Sequence, residues 1–260
     1  MYYSLINSMK RVAAPSYTAR TQALITATGL SNTTKINAIN SFDLEIQSIE
    51  SKLTNKALYL LFLENSTWNA RNFLGTSTFD LTFSGGLSHL ASGILPNGVN
   101  GFANTNFKNA THLTSGTNYT LFFQSMNDSN TGVDIGSYSV TNAIPLDIES
   151  RFSGAIYAGQ NVNIYLTSAN SDGSGIYINT RTSNSDSRLY KDGVLKDSST
   201  QNIGTTSNID NYLFARNNSG TASFYGSKKG LTAGIIDGLT IAEIAILNTA
   251  LTNLKTNLGV

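Results

Sequence analysis

Cysteine is absent from this chain of 260 residues, so disulfides, thiolate metal sites and cysteine nucleophiles are all excluded. Charge is scarce: 13% of residues are Asp, Glu, Lys or Arg, and the net charge is +1. A typical soluble domain carries about 25%. Nucleic-acid binders need clustered Lys and Arg, so this balance argues against a nucleic-acid partner. No apolar run approaches the ~18 residues that span a bilayer. The longest, Ala57-Leu58-Tyr59-Leu60-Leu61-Phe62-Leu63, has the length of a strand. Met1-Tyr2-Tyr3-Ser4-Leu5-Ile6-Asn7 lacks the basic-then-apolar plan of a secretion signal. Synthesis in a cytoplasm is the expectation, without membrane insertion. Histidine chemistry has little material, since His89 and His112 are the only two.

What fills the surface instead is uncharged polarity, with 30 Asn beside many Ser and Thr. The first 55 residues differ from the remainder. Thr18 to Thr28 reads as a short helix stopped by Gly29, and Ser31 or Asn32 as the cap of a second. Along the second, Ile39, Phe42, Ile46, Ile49 and Leu53 recur at spacings of three and four. Such a narrow stripe fits a helix packed on its own domain or on copies of itself. The expected assembly is a homo-oligomer, a trimer, held by these five residues. Ser8 to Tyr17 reads as an extended arm, because Pro15 opposes helix.

From Lys56 the text is β. Short runs rich in aromatic and β-branched residues alternate with Gly, Asn, Asp and Ser clusters. Strands are expected at Asn118 to Met126, Phe152 to Ala158, Val162 to Thr167, Ile176 to Arg181, Tyr212 to Arg216, Ala222 to Ser227 and Leu239 to Leu247. Asp192-Gly193 should turn a two-residue hairpin. Asn248 to Lys255 reads as a short closing helix. Strands at about 8–12-residue spacing, with few helices between them, indicate antiparallel sheets packed face to face. The expected fold is thus mainly all-β, with 1–55 an N-terminal attachment segment and 56–260 the β domain.

Specific residues carry a resemblance. Leu189-Tyr190-Lys191-Asp192-Gly193, Asn211-Tyr212-Leu213-Phe214-Ala215-Arg216-Asn217, Phe224-Tyr225-Gly226 and Ile241-Ala242-Glu243-Ile244-Ala245-Ile246 leading to Ala250-Leu251-Thr252 follow one another in order. In that order and spacing they resemble concanavalin A-like, laminin-G-like jelly rolls. The N-terminal half is similar to structural proteins of bacteriophage virions, several from Bacteroidetes hosts. The matching pieces are Ala27-Thr28-Gly29-Leu30, Ala38-Ile39-Asn40, Leu81-Thr82-Phe83-Ser84-Gly85-Gly86-Leu87-Ser88-His89 and Pro96-Asn97-Gly98-Val99-Asn100-Gly101-Phe102-Ala103-Asn104-Thr105. The likeness covers about Thr21 to Leu254. Related sequences often carry a Trp- and Tyr-rich piece after the second helix, where this chain has Lys56-Ala57-Leu58-Tyr59-Leu60.

The resemblance implies a virion spike, fibre or decoration protein presenting a lectin-like jelly roll to a host-surface glycan. Its other partners would be virion proteins. A head or tail building block binding only virion proteins is the alternative, and a virion-borne glycoside hydrolase the third. The residues themselves speak against an enzyme. Retaining glycosidases of this fold need carboxylates in the pattern Glu-x-Asp-x-x-Glu on one strand face. Asp147-Ile148-Glu149 supplies two same-face carboxylates without the third, and reads as solvated turn charges. Asp43 and Glu45 fall two apart in the second helix and cannot face each other. For glycan contact Trp68, the single tryptophan, is the candidate platform, with a core anchor as the competing reading. No cofactor is expected. Calcium remains open, since Asn127-Asp128-Ser129-Asn130 and Asn170-Ser171-Asp172-Gly173 offer oxygens, though such clusters also make plain turns.

Overall fold

A computed structural model describes residues 16–75, 77–139, 144–160, 165–202 and 208–260. The expected arm from Ser8 falls almost wholly outside the described residues. The helices are α1 (Ala19–Thr28), α2 (Thr33–Ile46), α3 (Glu50–Leu53), α4 (Ser66–Asn69), α5 (Asn109–His112) and α6 (Ile241–Leu258). Early in the chain lie β1 (Ala57–Leu60), β2 (Thr82–Ser84), β3 (Leu87–Leu90), β4 (Gly93–Pro96), β5 (Phe102–Lys108) and β6 (Tyr119–Ser125). Next come β7 (Ile135–Ser139), β8 (Ile144–Phe152), β9 (Ala155–Gly159), β10 (Tyr165–Ala169), β11 (Gly175–Ser183) and β12 (Asp186–Lys191). The last are β13 (Val194–Ser199), β14 (Asp210–Leu213), β15 (Arg216–Asn218), β16 (Thr221–Ser223) and β17 (Gly230–Ile236).

Two sheets stack as a jelly-roll sandwich. The first runs β13-β12-β11-β6-β17-β4-β3, with β1 also on β17. The second runs β10-β9-β8-β7-β14-β5-β2, with β15 and β16 attached. Between them lies one core, including Tyr59, Phe107, Leu121, Phe123, Ile148, Ile156 and Leu213. A second core lies on the other face of the first sheet, where α1, α2 and α6 cover it. The molecule is therefore three layers: helices, first sheet, second sheet. Among the described residues, no helix covers the outer face of the second sheet.

This layering explains the sequence runs. In β6, Leu121 and Phe123 enter the inter-sheet core while Phe122 enters the helix-covered one. Alternate residues face opposite ways, so a strand buried on both faces reads as continuously apolar. Gln124, on the helix side, donates from Nε2 to the Leu251 carbonyl at 3.2 Å.

The expected stripe is intramolecular. Ile39, Phe42, Ile46, Ile49 and Leu53 are at most 1% exposed, all within the chain's own helix-covered core. While the chain holds this fold they cannot touch another copy. A boundary at residue 55 separates α1 and α2 from α6 and the sheet they cover together. Asp43 is buried too, accepting from Arg20 Nε at 2.6 Å and from the Thr18 hydroxyl at 2.5 Å.

Several strand assignments need correcting. Phe152 to Ala158 is strand interrupted by a turn: Phe152 ends β8, Ser153 (φ 49°) and Gly154 (φ 79°) turn the chain, and Ala155 to Ala158 lie in β9. Of Val162 to Thr167 the described part begins at Tyr165 and is strand. Phe214, at φ 64°, breaks the run Tyr212 to Arg216 into β14 and β15. Ala222 to Ser227 is strand only to Ser223. Leu239 to Leu247 is not strand: Thr240 caps α6, and Thr240 and Glu243 form a reciprocal capping box. Ile244, Leu247, Leu251 and Leu254 then recur on the buried face. As the text predicts, Asp192 (φ 50°) and Gly193 (φ 76°) turn the β12–β13 hairpin and Asn32 caps α2, while Thr18, read as the first helical residue, is the cap of α1.

Candidate functional site

The open face of the second sheet is built around Asp147. Register fixes who stands beside it. Gly136 pairs with Asp147, Tyr138 with Pro145, Tyr157 with Glu149, Tyr165 with Gly159 and Tyr212 with Gly136. Residues two apart on a strand share a face. Asp147 and Glu149 therefore point outward with Tyr138, Tyr157, Tyr165 and Tyr212, while Leu146 and Ile148 point into the core.

Two glycines shape the slot that holds Asp147. A Cβ on Gly136 would lie 2.2 Å from Asp147 Cβ, and one on Gly159 would lie 2.7 Å from Asp147 Oδ1. Gly159 N–H donates to that same oxygen at 3.0 Å. Arg216, at the start of β15, closes the cluster. Its Nη2 lies 2.7 Å from Asp147 Oδ2 and 2.5 Å from Glu149 Oε1. All three are buried, Asp147 completely.

Asp147 and Glu149 are thus not solvated turn charges. Burial pushes Glu149 up to about 8, helped by the charge of Asp147 and opposed by Arg216. Burial raises Asp147 as well, against the pull of Arg216 and the Gly159 N–H. Arg216 is itself lowered by burial, but its carboxylate partners outweigh this and leave it raised.

Aromatic rings wall the cluster. The Arg216 guanidinium lies 4.7 Å from the Phe224 ring centre and 5.9 Å from that of Tyr138. Phe224 is 53% exposed and sits at φ 51°, a costly conformation for a bulky residue. Its carbonyl accepts from Val133 N–H at 2.9 Å, which anchors the strained segment. Tyr138, Pro145, Tyr165, Arg216, Asn218 and Phe224 line an open cleft of about 360 Å³. Arg216 Nε and Asn218 Oδ1 are themselves buried from solvent and find no hydrogen-bond partner among the described residues. Beside the cleft Phe102 stacks on Tyr212 at 4.8 Å.

Trp68 lies elsewhere. It is half-buried in α4 and packs on the helix-covered core, on the other side of the sandwich. The two Asn/Asp loops meet each other: Asp128 accepts from Gly173 N–H at 2.8 Å and from Arg151. Lys191 Nζ takes Asn170 Oδ1 at 2.9 Å and the Asp172 carbonyl at 2.6 Å. Those oxygens already have cationic or N–H partners. His89 Nδ1 bonds the Asn69 amide at 2.9 Å, and His112 Nδ1 accepts from Lys108 N–H.

Sequence reasoning named Asp147 and Glu149 but missed Arg216, Tyr138, Tyr165 and Phe224. The strand pattern of 144–149 could have revealed the outward carboxylates. Nothing in the sequence spacing announces that Arg216, 67 residues further on, meets them.

No family model matches the sequence, and no curated protein matches it. Solved structures do share the fold. A Trypanosoma rangeli sialidase mutant displaying trans-sialidase activity superposes with a TM-score of 0.55 at 12% identity, over 84% of this chain and 39% of that one. The botulinum neurotoxin serotype D binding domain gives 0.50 at 14% identity, over 76% and 52%. The chain thus spans between two fifths and about half the length of those neighbours. At such identities the likeness is one of fold: this is a β-sandwich of the jelly-roll class.

Proposed function

We propose that the protein is a bacteriophage virion component, a spike, fibre or decoration protein, whose second sheet binds a host-surface glycan without cleaving it. The observation that carries the glycan reading is the aromatic cleft around Arg216. Sugars offer C–H faces that rings cover and hydroxyls that both donate and accept. The cleft offers the exposed Phe224 ring, two tyrosines and the side chains of Arg216 and Asn218. The virion reading rests on the resemblance of residues 21–105 to phage structural proteins. A surface rich in uncharged polar side chains suits an exposed module, and weak single contacts gain strength through copy number.

A glycosidase reading draws on Glu149, a carboxyl near neutrality beside a second one. Its obstacle is Asp147, which is completely buried and bonded to Gly159 and Arg216. A nucleophile in that slot cannot reach a sugar carbon. Binding without turnover is the reading this favours.

The test is direct. Full-length protein on immobilised oligosaccharides should bind, Phe224→Ala should bind at least about tenfold more weakly, and Trp68→Phe should match the wild type. Equal binding by Phe224→Ala would remove the cleft from consideration. Release of reducing sugar would reinstate the enzyme. Mass spectrometry of particles from cells carrying the gene should find the chain; its absence would sink the virion role.

A further inference from the structure

The charge balance of the cleft says which sugars it can take. Resting on the glycan-binding reading, we propose that the cleft selects an uncharged pyranose and rejects sugars bearing carboxylate or phosphate. Among the described residues lining it, Arg216 is the one cation. Its Nη2 is already committed to Asp147 at 2.7 Å and Glu149 at 2.5 Å. An anionic ligand would have to compete with two fixed carboxyls for one guanidinium.

The cleft's exposed polar groups point the same way: Tyr138 and Tyr165 line it with hydroxyls that both donate and accept, as the hydroxyls of a neutral sugar do. The exposed side of Phe224 supplies the apolar platform, its other side being occupied by the guanidinium 4.7 Å away.

The experiment uses the full chain and an array of gluco-, galacto- and manno-configured oligosaccharides. Each is present as the neutral sugar and as its uronic acid, with sialyl-capped versions alongside. At neutral pH the neutral member of at least one pair should bind at least about tenfold better than its acid partner. The preference should vanish in Phe224→Ala, whose circular dichroism should match the wild type because the removed ring is half exposed. Equal or better binding of the acidic members, lost in the same variant, would overturn the neutral selection while leaving glycan binding standing. Failure of every member to bind would overturn both.

Discussion

Asp147 keeps a carboxylate in a place where water cannot reach it, and Arg216 is what makes that tolerable. Removing one member of a buried ion pair leaves the other uncompensated, at a cost of about 3–5 kcal/mol. Arg216→Met should therefore lower unfolding free energy by roughly that amount in urea titration at neutral pH, and the deficit should shrink in acid, where the carboxyl takes up a proton. Arg216→Lys should recover part of it, having the charge without the planar fork. Glu149 makes the complementary prediction. Its folded value of about 8 exceeds the ordinary 4.5, so the folded state binds the proton more tightly than the unfolded chain. The stabilisation is present below pH 4.5 and is lost as pH rises through 8. Glu149→Gln should flatten the decline of stability across that window, measured by thermal melts at successive pH values. A decline of unchanged steepness would assign it to another group.

At the scale of elements, the helix α6 shows what the sequence text disclosed and what it hid. Ile241 to Ile246 resembles a family strand, and its β-branched residues favour that reading. Yet Thr240 and Glu243 stand at capping-box spacing, and the buried positions 244, 247, 251 and 254 keep helical period. The local signal was present and the resemblance outweighed it. Thr240→Ala should cost about 1 kcal/mol, read as a small drop in denaturation midpoint with glycan binding unchanged. β17 was hidden for another reason. Leu231-Thr232-Ala233-Gly234-Ile235-Ile236 shows no alternation because both its faces are buried, and its glycine reads as a breaker. By contrast α1, α2 and the β12–β13 hairpin were legible from Thr18, Asn32, Gly29 and Asp192-Gly193, because caps and turns are short-range chemistry. The Arg216 cluster was not legible, since it needs β8 and β15 brought to one face across β7.

The whole molecule is asymmetric: one sheet is covered by helices, the other is open. Which side holds the fold together follows from that. α1 and α2 bring Leu24, Ile36, Ile39, Phe42 and Ile46 onto a face to which the first sheet contributes Leu58, Phe122 and Ile178. Each such side chain is worth roughly 1.5–3 kcal/mol when fully buried, and a domain's net stability is only about 5–15 kcal/mol. A chain beginning at Lys56 loses that cover and presents a large apolar patch, which soluble monomers seldom tolerate. Expressed alone, residues 56–260 should aggregate or bind an apolar dye strongly, and should not elute as a well-behaved monomer. If size-exclusion chromatography and dye binding instead found a compact, dye-silent sandwich, the helices would be a detachable tether, free to serve attachment to the particle. In the structure's own terms they are the third layer of the fold.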